Sequence, residues 1–95
     1  MGRTSREKPE RLAEKLLQIR LALDLSQGDL LSRFGLSERL NRDDVSKYER
    51  GVREPSLPVL LRYARSVGIS TDVLIDDELD LPEKLPTRAA KRFGR

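Results

Sequence analysis

The sequence contains no cysteine and no histidine. The first absence removes disulfide frameworks, and the two together remove Cys/His zinc sites and the commonest general base. Long apolar runs are also missing. Nothing approaches the roughly 18 apolar residues of a membrane span, and the opening MGRTSREKPE lacks the apolar segment of a signal peptide. Arg6 stands where N-myristoylation wants Ser or Thr. A reducing, cytoplasmic setting with no membrane attachment is the expectation. There is no strand-like alternation, internal repeat or glycine-rich phosphate loop, so the expected fold class is all-α. No nucleophile and base stand at a workable spacing, since Lys47 and Tyr48, being adjacent, point to different sides of a helix. Neither an enzyme nor a cofactor is expected.

What is present fits one small domain: 95 residues with 37% hydrophobic content can build a single modest core. The chain carries 19 basic and 16 acidic side chains for a net charge of +3, so its pI of 9.6 overstates how basic the surface is. Residues 1–11 hold four basic and two acidic residues, and residues 81–95 hold five basic (Lys84, Arg88, Lys91, Arg92, Arg95) and one acidic. With both ends basic, the middle is net negative, and any basic surface there must be a local patch.

Residues 1–9 read as a flexible basic arm closed by Pro9, residues 10–80 as the folded domain, and residues 81–95 as a basic tail. Leu12, Leu16, Ile19 and Leu23 recur at helical spacing and predict a first helix from Glu10 to about Asp24. Ser26 is the N-cap of a second helix that ends at Gly35. After the connector GLSERLN, Asn41 caps a third helix over Arg42 to Arg50, stopped by Gly51. Pro55 and Ser56 start a fourth, with Leu57, Leu60, Leu61, Ala64 and Val67 as its buried stripe. Ser70 or Thr71 caps a short fifth helix with Val73 and Leu74 inward, closed by Pro82.

On the third helix Val45, Tyr48 and Glu49 cluster on one side, while Asp43, Ser46, Lys47 and Arg50 fall on the other, with Arg42 and Asp44 at the margins. A helix of that length fits the DNA major groove, and Arg, Lys, Ser and Asp in its first half can meet base edges. The plain alternative is a solvated helix face. Order along the chain adds weight to the first reading: LSQGDLL...FG followed by DVSKYERGVREPSLPVLLRYARSVGISTDVL resembles the Cro/lambda-repressor-like helix-turn-helix family, also called XRE, over about residues 10–78.

The resemblance implies a five-helix lambda-repressor-like domain and a sequence-specific, double-stranded DNA-binding transcriptional regulator acting as a homodimer. It implies base reading by Arg42, Asp43 and Lys47, phosphate binding by Gln27, Ser46, Arg50 and Arg53, and a structural ion pair between Arg20 and Glu49. This chain departs from the family pattern at Leu31, where a small residue is usual, and in a link from Gly35 to Val45 that is longer than the norm. That link must bulge outward or add a turn.

Two carboxylates at the head of a DNA-reading helix need a reason. In the first turn they favour the dipole's positive end, and Asp43 can pair with Lys47. Asp43 can also accept from cytosine N4 and repel the acceptor edges of guanine and thymine, giving up affinity for discrimination. The rival function is a protein-interaction module, an antitoxin or adaptor that grips a protein partner through the fifth helix and tail. Leu74, Ile75, Leu79 and Leu81 would serve as a dimer face or as a satellite core under the first helix. The stretch IDDELD lacks the EF-hand spacing and glycine, so it reads as a solvated acidic helix end and not as a metal site. The tail PTRAAKRFGR reads as a solvated end, with a DNA-backbone clamp as its alternative.

Overall fold

The apolar residues of the first amphipathic segment line one side of α1, Leu12–Ala22, where Leu12, Leu16 and Ile19 are buried and Leu23 follows them into the core. In the computed structural model, which describes residues 8–85, four more helices come after it: α2, Gln27–Phe34; α3, Arg42–Glu49; α4, Leu57–Ser66; and α5, Thr71–Ile75. The described residues are all-α, as the composition and periodicity imply. Their apolar faces meet in one core that takes in Leu30, Leu31, Phe34, Val45, Tyr48, Leu60, Tyr63 and Leu74. The N-terminal arm up to residue 7 and the tail from residue 86, with its clamp reading, lie outside the described residues.

Local caps set most of the helix boundaries. Ser26 Oγ accepts from the Asp29 N–H at 3.0 Å and starts α2. Gly35 ends it in the left-handed region at φ 73°, and the Leu36 N–H then bonds back to the Leu31 carbonyl at 2.8 Å. That closure also joins two buried leucines, Leu31 and Leu36, at 4% and 3% exposure, the apolar contact that often accompanies such an end. The long link therefore begins on an anchor. From Leu36 the chain makes an extra turn over Ser37–Arg39, with the Leu40 N–H bonded to the Leu36 carbonyl at 2.9 Å, before Asn41 opens α3. The bulky Leu31 is itself part of the core.

The buried stripe of α4 differs from the sequence expectation. Leu57 and Leu61 are 77% and 38% exposed, while Val59, Leu60, Tyr63, Ala64 and Val67 are buried. Tyr63 is the reason: its ring meets Phe34 edge to face with centroids 5.1 Å apart, and it is fully enclosed. Leu61, two residues earlier, is turned roughly 200° away on the same helix. Counting leucines missed the aromatic that sets the phase.

The acidic stretch after α5 is likewise more than a solvated helix end. Asp77 accepts the backbone N–H groups of Glu10 and Arg11 at 2.9 and 3.0 Å, capping α1 from across the fold, and Arg11 pairs with Asp80 at 2.7 Å. Lys15, 1% exposed, donates its ammonium to the carbonyls of Val73, Asp76 and Leu79 at 2.8, 3.0 and 2.8 Å. Three donors meet three acceptors, which is how a lysine can be enclosed at all. Of the residues offered as a dimer face or satellite core, Leu74 belongs to the main core and Leu81 packs against it, while Ile75 and Leu79 remain 43% and 41% exposed.

Burial pushes the Lys15 ammonium below the ordinary lysine value, against the three carbonyls that favour its charged form. Lys15→Met keeps the stem and removes the donors, and it should cost about 1–3 kcal/mol of stability. A lowered urea midpoint and faster amide exchange in α5 check this; an unchanged midpoint would deny the ammonium any structural role. The backbone N–H bonds of Glu10 and Arg11 hold the Asp77 carboxyl below its usual value. Its contribution is therefore complete above the unfolded value of about 3.9 and disappears as pH falls through the lower folded value. Thermal midpoints measured from neutral to acid pH should fall less steeply for Asp77→Asn than for the parent chain.

Candidate nucleic-acid interface

The start of α3 is fixed by a reciprocal cap. Asn41 Oδ1 accepts from the Asp44 N–H at 3.0 Å, and Asp44 Oδ2 accepts from the Asn41 N–H at 2.9 Å. The other Asp44 oxygen accepts from Arg53 Nη1 at 2.8 Å, which ties the chain leaving α3 to the helix's own head. At the far end Gly51, with φ 76°, lets the Val52 N–H return to the Lys47 carbonyl at 2.9 Å. A side chain at Gly51 would also stand 3.6 Å from the Ala13 methyl.

The inner face of α3 is held by Val45, Tyr48 and the Glu49 carboxylate. Arg20 of α1 reaches that carboxylate with two nitrogens, Nε to Oε2 at 2.6 Å and Nη2 to Oε1 at 3.0 Å. A third Arg20 nitrogen donates to the Leu25 carbonyl at 2.9 Å. Gln27 at the head of α2 adds its Nε2 to Glu49 Oε1 at 3.1 Å. The Arg20 and Glu49 side chains are only 14% and 6% exposed, and the hydrogen bonds that Arg20 donates to the Glu49 carboxylate raise the guanidinium above its ordinary value. The fully buried Tyr63 hydroxyl has no hydrogen-bond partner among the described residues, and burial pushes its pKa up.

The opposite face is open. Asp43 and Lys47 are 64% and 38% exposed and sit 3.2 Å apart as an i,i+4 pair. Arg50 Nε donates to Ser46 Oγ at 3.1 Å one turn later. Arg42 is exposed, with its aliphatic stem against α2: a Cβ on Gly28 would lie 3.4 Å from Arg42 Cδ. Arg42, Asp43, Ser46, Lys47 and Arg50 thus share the outward side of α3, with Arg53 drawn to its N-terminal edge by Asp44, while the Gln27 amide is bonded to Glu49 on the inner side. Arg20 and Glu49 stand behind that surface.

Two features of this arrangement went unread in the sequence. The Asp44–Arg53 pair spans nine residues, which no helical spacing marks. The Asn41–Asp44 box did carry a local signal, an Asn followed three positions later by a carboxylate.

An exposed pair such as Lys47–Asp43 contributes little, about 0–1 kcal/mol. The enclosed Arg20–Glu49 pair differs, because removing one partner strands the other charge. Glu49→Gln or Arg20→Met should cost about 3–5 kcal/mol, and a double-mutant cycle in thermal unfolding should return a clear coupling energy. Additive losses would show that the contact contributes nothing of its own.

Neither a curated protein nor a solved structure matches the chain significantly. A family model does: the helix-turn-helix model HTH_3 matches residues 16–74, more than half of the sequence, from the middle of α1 to α5. Its span holds the capped second and third helices, the Arg20–Glu49–Gln27 junction and the open face of α3. The chain belongs to the HTH_3 (Cro/C1-type, XRE) helix-turn-helix family, whose domains bind DNA.

Proposed function

We propose that the protein is a transcriptional regulator that recognises double-stranded DNA by sequence, laying α3 in the major groove. The observation that carries this is the division of α3 into an inner face locked by Glu49 and an outer face bearing Arg42, Asp43 and Lys47 toward solvent. Arg42, Asp43 and Lys47 read base edges, while Gln27, Ser46, Arg50 and Arg53 grip the flanking phosphates and set the register. A symmetric dimer would place two such helices about one helical turn apart on the duplex.

Two cations of this face are already paired with carboxylates within the protein. Lys47 faces Asp43 and Arg53 faces Asp44. Both pairs have an exposed member, so a phosphate or a base edge can compete for the cation at small cost. The carboxylates then act as a filter: DNA that supplies no good acceptor for the cation, or no donor for Asp43, meets an unrelieved negative charge. Exposed Ile75 and Leu79 support a second reading, in which α5 and the following segment also contact a protein partner.

Selection from a randomised duplex pool tests the reading directly. It should return a defined half-site, and affinity for that site should fall linearly on a log–log plot against salt. Arg53→Ala should reduce the salt slope by about one while leaving base preference intact. Asp43→Ala should raise affinity for random duplex and relax preference at one half-site position. Failure to enrich any sequence, with no binding to random duplex at low salt, would reject DNA reading for this chain.

A further inference from the structure

On another side of the domain, between the end of α2 and the outer side of α4, runs a groove of ≈ 530 Å³. Its floor is apolar, made by Leu23, Phe34, Pro58 and Leu61. Its rim carries three guanidinium groups, Arg33, Arg62 and Arg65, and no acidic residue lines it. Arg62 is fixed, donating Nη1 to the Phe34 carbonyl at the C-terminal end of α2. Arg33 and Arg65 are exposed and make no ion pair among the described residues. Elsewhere Arg11, Arg20 and Arg53 each hold a carboxylate. In a chain whose middle is net negative, three arginines around an apolar floor with no acid between them are an uncompensated local charge.

We infer that this groove docks an acidic segment of another protein, seated by one or two large apolar side chains on Phe34, Pro58 and Leu61 and held at its edges by Arg33 and Arg65. Charge complementarity selects that occupant over the others. The chain's own arm and tail are both basic and would be repelled. A DNA backbone offers phosphates but no apolar body to cover the floor. In the acidic stretch of a second copy, Asp77 is already committed to the backbone N–H groups of Glu10 and Arg11, and Asp80 to the Arg11 side chain. An amphipathic helix with acidic flanks meets both requirements, apolar anchors one turn apart and carboxylates for a guanidinium rim. No residue of α3 lines the groove, nor do Gln27, Arg50 or Arg53, so docking is compatible with DNA held at the same time. The inference stands apart from the DNA reading.

The test is an amide chemical-shift titration of the full chain with a synthetic glutamate-rich helical peptide carrying two leucines one turn apart. Its lysine-for-glutamate and serine-for-leucine counterparts serve as controls. The acidic peptide alone should bind, shifting residues of the α2 end and α4 and leaving α3 unmoved, with affinity that weakens as salt rises. The Arg33→Glu, Arg65→Glu double variant and, separately, Leu61→Ser should each weaken it about tenfold or more, since like charges or a lost anchor then meet the peptide. Both sites are partly or well exposed, and an unchanged thermal midpoint confirms that the variants fold. Four results would overturn the proposal: no binding, equal binding of the lysine peptide, loss of duplex DNA affinity in the arginine variant, or a concentration-dependent dimer that the same variant abolishes. The third would assign the arginines to the phosphate grip, and the fourth would give the groove to a second copy.

Discussion

One carboxylate, that of Glu49, governs how the helices meet. It receives Arg20 from α1 and Gln27 from α2 while itself belonging to α3, so the three segments converge on two oxygen atoms. Apolar packing has no preferred direction and would allow α3 to slide or roll on its neighbours. A carboxylate that accepts two nitrogens of one guanidinium and an amide from a second helix allows little of either. Its enclosure makes the arrangement demanding, because a charge withdrawn from water is tolerated only while its partners stay in place. What α3 turns toward solvent is therefore settled by what Glu49 holds beneath it.

Acids above and below that junction follow a common pattern. Asp44 completes the cap of α3 and holds Arg53, Asp43 stands beside Lys47, Asp77 closes the open start of α1, and Asp80 meets Arg11. These carboxylates, which look like a negative surface in the sequence, are engaged by backbone N–H groups and by particular cations. Among the described residues, Arg33 and Arg65 of the α2–α4 groove are cations left without an acid.

Much of the fold was legible because its signals are local. Ser26, Gly35, Asn41 and Gly51 each act within a few residues of their own position, and the bounds of α2 and α3 fall where those residues put them. The face of α4 was not legible, since Tyr63 wins its core position through Phe34 in another helix and displaces Leu57 and Leu61 outward. Lys15 carried no signal at all: its acceptors are backbone carbonyls about sixty residues further on, and carbonyls have no sequence. The outward residues of α3 followed from helical phase alone. The role proposed for each rests on family resemblance, as did the expected partnership of Arg20 with Glu49 that the fold contains, whereas the bond from Asp44 to Arg53 was invisible until both ends of α3 were placed.

The family match begins at residue 16 and stops at residue 74, yet the first helix is capped by Asp77 and the last one is closed by Lys15. Each end of the domain completes the other, like a belt whose buckle lies outside the recognised pattern. A fragment cut to the matched span would keep α2, α3 and α4 whole, shorten α1 and α5, and lose the fastening between the two extremities, so excising the motif is not the same as isolating the folding unit.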